Sequence, residues 1–200
     1  VLVSGSGTNL QALIDASKQT EYGVEIVAVG ADRTGIKALE RAERHGIETF
    51  AVETSSYDDR AAWDIALAEA VDAHTPDLVV LAGFMKLTGP AFLGKFGGRT
   101  VNTHPALSPA FPGMHGPRDA LAYGVKVTGA TLFVVDNGVD TGPIVAQTVV
   151  PVEDDDSAET LQYAIGIANV QLDKPANITI ERKQGNVWNV VAGPAVIAAL

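Results

Sequence analysis

The sequence predicts an α/β protein, with a mostly parallel sheet, helices packed around it and antiparallel strands toward the C-terminus. Three observations predict it. From Val1 to about Val101, short apolar runs alternate with helical patterns, as βαβ units require. Leu78-Val79-Val80-Leu81-Ala82 is continuously apolar, as expected of a central parallel strand covered on both faces. The later β-rich runs, Ala130 to Val135 and Ile144 to Val150, are joined by Asp136-Asn137-Gly138-Val139-Asp140-Thr141-Gly142-Pro143. That connection is too short for a crossover helix, so these strands are expected to pair antiparallel.

In chain order, Val1-Leu2-Val3 reads as the end of a buried strand. Ser4 to Asn9 breaks the pattern, and Leu10, Leu13 and Ile14 then fall at helical spacing. Val24 to Val29 is the second predicted strand. Gly35 to His45 is a charged helix stopped by Gly46. A long helix is predicted from about Tyr57 to His74, ended by Pro76. Thr100-Val101-Asn102 is a short strand, and Ala106 to Gly113 is an irregular loop holding two prolines. Asp154-Asp155-Asp156 precedes Ser157-x-x-Thr160 and a helical stretch, where acidic residues favour a helix N-terminus. The text becomes less regular after Gln162, where Asn177 to Ile180 and Val187 to Val190 read as two strands around Gly185-Asn186.

Composition narrows the function. The 200 residues suffice for one domain with a core, and 46% hydrophobic with 19% charged residues is a globular balance. No apolar run approaches the roughly 20 residues needed to span a bilayer. No cleavable signal peptide is visible, and the chain opens at Val1 inside an apolar stretch, so further residues are expected before it. The absence of cysteine excludes disulfides, a Cys-ligated zinc and a cysteine nucleophile, and it fits a cytoplasmic location. A formal net charge of −10 argues against a general nucleic-acid binder. It leaves room for a small anion held by backbone N–H groups.

Gly5-Ser6-Gly7-Thr8-Asn9 lies between the first strand and the first helix. Glycines allow close backbone approach, and the helix start offers free N–H groups and a partial positive charge suited to a phosphate. A plain tight turn capped by Thr8 or Asn9 is the alternative, and the loop alone leaves both open. The third glycine of the dinucleotide fingerprint is missing, which disfavours a nicotinamide cofactor.

Asn102-Thr103-His104-Pro105 is predicted just past a strand's carboxyl end, where open α/β sheets place their ligand crevice. Asp140 lies in a second irregular loop, between Gly138 and Gly142. These side-chain types suit acyl transfer. An amine attacking a formyl carbon makes a tetrahedral intermediate bearing negative oxygen. Asn and protonated His donate hydrogen bonds to such an oxygen, and a carboxylate can receive the proton leaving the amine. Each residue alone also reads as a turn residue. His45 and His74, near helix ends, are read as structural, whereas His115 lies in the irregular loop and could line the site. No metal is expected, because Asp154-Asp155-Asp156 lacks the spacing of a calcium loop.

Four segments occur in order: Gly5 to Leu13, Leu81-Ala82-Gly83-Phe84-Met85, Asn102-Thr103-His104-Pro105 with Pro109 and Pro112-Gly113, and Asp140-Thr141-Gly142-Pro143. Over about residues 1–162 the chain closely resembles the phosphoribosylglycinamide formyltransferase family of purine biosynthesis, within the formyltransferase superfamily. The resemblance implies a three-layer Rossmann-like formyltransferase fold in a single domain. Residues 1–100 would be the phosphoribosyl-substrate half, 101–162 the catalytic and folate half, and 163–200 an atypical tail. It implies formyl transfer from 10-formyltetrahydrofolate, a cosubstrate, to the amine of glycinamide ribonucleotide. The enzyme would be a cytoplasmic monomer or homodimer acting on small molecules. By the same resemblance, Asn102, His104 and Asp140 are the catalytic trio, with His104 the proton donor. Gly5, Ser6, Gly7, Thr8 and Asn9 hold the substrate phosphate. Arg60, Met85, Lys86, Leu87, Thr88, Asn102 and the loop Asp136, Asn137, Gly138, Val139, Asp140 contact the folate. Met85, Leu87 and Val139 would wall the pteridine, and Arg60 would meet its glutamate carboxylates.

Three residues or segments depart from the family pattern. Lys86 stands where the family commonly has Arg, which preserves backbone contacts but not a bidentate one. Ser108 replaces the usual Leu. Tyr163 to Asn169 offers no match for the family's ribose-contacting Glu. The superfamily chemistry alone leaves alternatives open: another folate-dependent formyltransferase, a deformylase, or a noncatalytic folate- or nucleotide-binding module. Acceptors such as methionyl-tRNA or an amino-sugar nucleotide are disfavoured by the phosphate loop, and tRNA also by the acidic balance.

Overall fold

The first strand lies inside the sheet, third of its seven strands. In the computed structural model, which describes residues 1–19, 22–170, 178–182 and 188–192, β1 (Leu2–Val3) pairs in parallel with β2 (Ala28–Ala31) on one side and β4 (Val79–Leu81) on the other. β3 (Glu48–Ala51) extends the sheet beyond β2, and β5 (Thr100–His104) extends it beyond β4. β6 (Val127–Val134) and β7 (Ile144–Pro151) complete it as antiparallel strands. The order is β3-β2-β1-β4-β5-β6-β7. It reverses between β1 and β4, and at such a switch point the loops leaving the two strands diverge and open a crevice.

Helices cover both faces, because strand residues alternate sides. Val3, Val29, Val80 and Val101 pack with Leu10, Leu13 and Ile14 of α1 (Thr8–Ser17) and Ala38, Leu39 and Ala42 of α2 (Lys37–Arg44). Leu2, Val79 and Leu81 face the other way, against Trp63 and Leu67 of α3 (Arg60–Asp72) and Phe92 and Phe96 of α4 (Pro90–Phe96). α5 (Gly116–Tyr123) follows the irregular loop. α6 (Ala158–Val170) buries Leu161 and Ile165 against Ala130 and Val150. The three-layer, mostly parallel α/β architecture is the one the sequence predicts.

Helix ends follow their capping residues. Gly46, at φ 72°, ends α2, with Ile47 N–H bonded to Ala42 O and Gly46 N–H to Glu43 O, a Schellman arrangement. Asp59 caps α3 by accepting from Ala62 N–H at 2.8 Å. Ser157 Oγ accepts from Thr160 N–H at the start of α6, and Thr160 Oγ1 donates to Asp156. Of the acidic run, Asp156 belongs to that cap, whereas Asp154 pairs with Lys126 at 2.6 Å.

Several boundaries differ from the sequence reading. The second strand begins at Ala28, not Val24. Val24 and Val27 are exposed, whereas Ala28 to Ala31 are all buried. β3 was not foreseen, because its outer position leaves it only half-covered and without a continuous apolar run. α4 and α5 were not foreseen either. Each carries a Pro in its first turn and α4 also holds Gly94, signals that read as loop although Pro at N1 fits a helix. β5 runs on through His104, so Asn102 and His104 lie on the strand and not past it. The long third helix is shorter than predicted, with a 3₁₀ turn at Thr54–Ser56 before its cap. β8 (Ile178–Arg182) and β9 (Trp188–Ala192) pair antiparallel, as predicted for the tail, while Gly185-Asn186 lies outside the described residues.

Candidate active site

A cleft of about 690 Å³ opens at the carboxyl ends of β1, β4 and β5. Its size lies in the range of pockets that enclose a small ligand. Ser4 to Asn9 line one part, Leu81 to Thr88 another, Asn102 to Pro105 the floor, and Val135 to Asp140 the facing wall.

The floor comes from strand alternation. Asn102 and His104, two apart on β5, project to the same side. His104 is only 3% exposed. Its Nε2 lies 2.8 Å from Phe111 O, and its Nδ1 lies 3.4 Å from Asp140 Oδ2. A carbonyl can only accept, so Nε2 carries a proton and Nδ1 faces the carboxylate. Asp140 Oδ2 also accepts from Gly113 N–H at 2.7 Å. One carboxylate thus joins the β6–β7 connection to the loop after β5. Phe111 and Asp140 both take left-handed backbone angles, φ 53° and 54°, which non-glycine residues adopt at a cost of about 1–3 kcal/mol. Among the described residues the Asn102 amide makes no side-chain hydrogen bond and remains available in the cleft.

The loop after β5 is fastened by Thr131 of β6. Its buried hydroxyl donates to Ala106 O at 2.7 Å and accepts from Ser108 N–H at 2.9 Å. Ser108, the departure from the family's Leu, is therefore anchored through its backbone. In the facing wall Asp136 Oδ1 accepts from Gly138 N–H and from the Thr141 hydroxyl. A Cβ at position 138 would collide with that hydroxyl at 1.9 Å, so the turn needs glycine.

The glycine loop turns its donors toward the cleft. Gly7, not Thr8 or Asn9, is the N-cap of α1, at φ 70° and with no side-chain cap, which overturns the capping alternative. A Cβ there would come within 2.7 Å of Ala38, so the position also requires close approach to α2. Ala38 N–H holds Gly5 O at 3.1 Å, and Arg41 Nε holds Ser6 O at 2.9 Å. In each planar peptide the N–H points opposite its C=O. The N–H groups of Ser6 and Gly7 therefore point away from α2. Those of the first turn of α1 have no partner within the helix.

A buried carboxylate stands behind this junction. Asp32, 3% exposed, receives two hydrogen bonds from Arg33, and Lys86 Nζ lies 3.8 Å away. Burial would raise its pKa, but the Arg33 hydrogen bonds and the charges of Arg33 and Lys86 hold the carboxyl below the ordinary 3.8.

The family model described as formyl transferase matches residues 1–172. The chain belongs to the formyl transferase family. It is 54% identical over 172 residues to a phosphoribosylglycinamide formyltransferase of Mycobacterium tuberculosis, covering 86% of this chain and 79% of that one. It is 41% identical to the Escherichia coli protein of the same name, covering 82% and 81%. Among solved structures, glycinamide ribonucleotide transformylase 1 of Symbiobacterium toebii aligns with TM-score 0.80 at 44% identity, over 82% of this chain and 77% of that one. Phosphoribosylglycinamide formyltransferase of Bacillus halodurans aligns with TM-score 0.79 at 43% identity, over 82% and 84%.

The family match runs past Gln162, where the sequence reading ended its resemblance, and α6 continues as helix to Val170. Gln162 and Gly166, one turn apart on α6, line the cleft, so the segment treated as an atypical tail begins inside the site. All residues expected to hold phosphate or folate line the cleft except Arg60, whose Nη2 donates to Leu87 O at 2.6 Å. Met85, Leu87 and Val139 are exposed apolar side chains there. His115 is not among the lining residues; Gly113 and Met114 are. His74 stacks on Phe50 and lies 3.7 Å from Glu48, and His45 approaches Gln11, both away from the cleft. Asp32 and Asp64 escaped the sequence reading. Their signals were present: an Asp-Arg pair directly after a strand, and an acidic residue among the apolar positions of a helix.

Proposed function

We propose that this chain transfers a formyl group from 10-formyltetrahydrofolate to the amine of glycinamide ribonucleotide. The observation that carries the reading is the His104–Asp140 pair beside Asn102, in a cleft walled by the glycine loop and by Met85, Leu87 and Val139. Shared family and high identity to proteins of that name support it. The residues present fit a folate: the cleft is large enough, and Met85, Leu87 and Val139 give it an apolar wall.

The roles follow from chemistry and place. Ser6, Gly7, Thr8 and Asn9, with Gly5 giving backbone room, hold the phosphate at the start of α1, where N–H groups and the helix dipole favour an anion. Met85 to Thr88 and Asp136 to Asp140 hold the folate, which supplies the formyl carbon as electrophile. The Asn102 amide donates to the formyl oxygen as negative charge builds on it. His104, as the imidazolium, donates its Nδ1 proton to the folate nitrogen as the bond from that nitrogen to the formyl carbon breaks, since its Nε2–H is engaged by Phe111 O. Asp140 keeps the ring oriented and accepts the proton released by the attacking amine. No covalent nucleophile is required, because the attacking amine belongs to the substrate. In this reading residues 1–100 supply most of the ribonucleotide site and 101–162 the catalytic groups. The work is done in the cytoplasm on small molecules, by a monomer or homodimer.

The test is turnover. The protein incubated with formyl folate and glycinamide ribonucleotide should yield the formylated ribonucleotide, seen by mass. Formylation of a different amine, with none of this one, would overturn the substrate assignment.

A further inference from the structure

Strand β5 divides the cleft floor between the two faces of the sheet. Asn102 and His104 project to one face, and Thr103, between them, to the other. Thr103 pairs with Leu132 of β6, and Val101 lies two residues before it on β5. Val101 and Leu132 pack with Leu10, Leu13 and Ile14 of α1. Ala130, two residues before Leu132, packs with Leu161 and Ile165 of α6. Thr103 therefore stands on the face that carries both α1 and α6, at the end of the sheet where α1 begins. It lines the cleft, as does Gln162 of α6.

The Thr103 hydroxyl does not serve the fold. Its Oγ1 is buried and has no hydrogen-bond partner among the described residues. Two other buried threonines of β5 and β6 are satisfied: Thr100 donates to Phe96 O at 2.9 Å and Thr131 to Ala106 O at 2.7 Å. A buried hydroxyl without a partner costs the folded chain free energy, and Val would fill the same space without that cost. Rotation about χ1 exchanges the hydroxyl and the methyl among staggered positions, so a ligand in the cleft can supply the missing partner.

Its place selects the ligand. Consecutive Cα atoms are about 3.8 Å apart, so Thr103 adjoins both residues at which the amine reacts. It faces the side on which the start of α1 is proposed to hold the phosphate. Between phosphate and amine the ribonucleotide carries ribose hydroxyls and an amide carbonyl, and each accepts from a threonine hydroxyl.

We infer that the Thr103 hydroxyl turns into the cleft and hydrogen-bonds the ribonucleotide between its phosphate and its amine, which makes Thr103 a specificity residue for the acceptor. The inference rests on the ribonucleotide reading of the cleft.

The experiment titrates glycinamide ribonucleotide and, separately, tetrahydrofolate into wild-type protein and the Thr103→Val and Thr103→Ser variants. Thr103→Val should melt no lower than wild type, because the hydroxyl it removes has no partner in the free protein. It should bind the ribonucleotide about tenfold more weakly, the scale of one hydrogen bond, and the folate as wild type does. Thr103→Ser should bind both as wild type does. Unchanged ribonucleotide binding in Thr103→Val would overturn the inference. Equal weakening of both probes would do the same, as would a Thr103→Ser variant as weak as Thr103→Val. A markedly lower melting temperature in Thr103→Val would give the hydroxyl a partner in the free protein and would also overturn it. Wild-type protein that does not bind the ribonucleotide would overturn the acceptor reading itself, and the inference with it.

Discussion

Asp140 Oδ2 sits 3.4 Å from His104 Nδ1 and at the same time accepts the Gly113 N–H. The carboxylate is thereby fixed against both the ring and the loop that holds the ring's other nitrogen. Neither group is free to swing away alone.

Replacing Asp140 with Asn tests the charge with little change of shape. Asn tolerates the left-handed φ of 54° and keeps an oxygen for Gly113. The melting temperature should stay close to wild type, while kcat falls by about 10²–10⁴, the range for a proton-transfer group. Steady-state kinetics beside a thermal melt check this. Unchanged kcat would remove Asp140 from the chemistry.

Asn102→Ala removes a donor whose amide makes no side-chain hydrogen bond among the described residues, so the folded chain should lose little. The rate should fall by about 10²–10³, as when one oxyanion donor is lost. Substrate KM values should move much less than kcat. A variant with raised KM and unchanged kcat would make Asn102 a binding residue.

Arg41 tests the glycine loop from behind. Its Nε holds Ser6 O and its Nη1 holds Gln11 Oε1. In Arg41→Ala the Ser6–Gly7 peptide loses the bond that orients its N–H. The ribonucleotide KM should rise by about tenfold, with the folate KM unchanged. Equal effects on both substrates would point to general loosening.

Asp32 gives a stability prediction with a defined sign. Its folded carboxyl is held below 3.8, so ionised Asp32 favours the folded chain. That contribution is complete above 3.8 and is lost as pH falls through the lower folded value. The difference in melting temperature between wild type and Asp32→Asn should therefore be largest near neutral pH and shrink toward pH 3. A difference constant over that range would contradict the assignment.

The sequence made the central layer legible because Leu78 to Ala82 is apolar on both faces and the glycine loop interrupts a strand-to-helix transition. The order of strands was not legible. That Leu2 pairs with both Gly30 and Leu81 depends on packing across the chain. The half-covered β3, and α4 and α5 with their early prolines, lack the periodicity that marks buried elements. α4, with only seven residues, depends on Phe92 and Phe96 in the core and on Asp64 at its start. Local propensity reports neither support.

The residue types of the site were legible, but their hydrogen bonding was not. The sequence pointed to Asn102 and His104 in one segment and to Asp140 in another. It could not show that Phe111 O engages Nε2, or that Ser6 O and Leu87 O are turned away from the cleft by arginines of two helices. Those facts depend on which way a peptide plane faces, and a loop sequence leaves that open until its neighbours are placed.

The most direct test of the central claim is the rate of formyl transfer to glycinamide ribonucleotide by His104→Ala, measured with both substrates saturating. The account predicts folded protein whose kcat is lower by about 10²–10⁴. Full activity in that variant would contradict it.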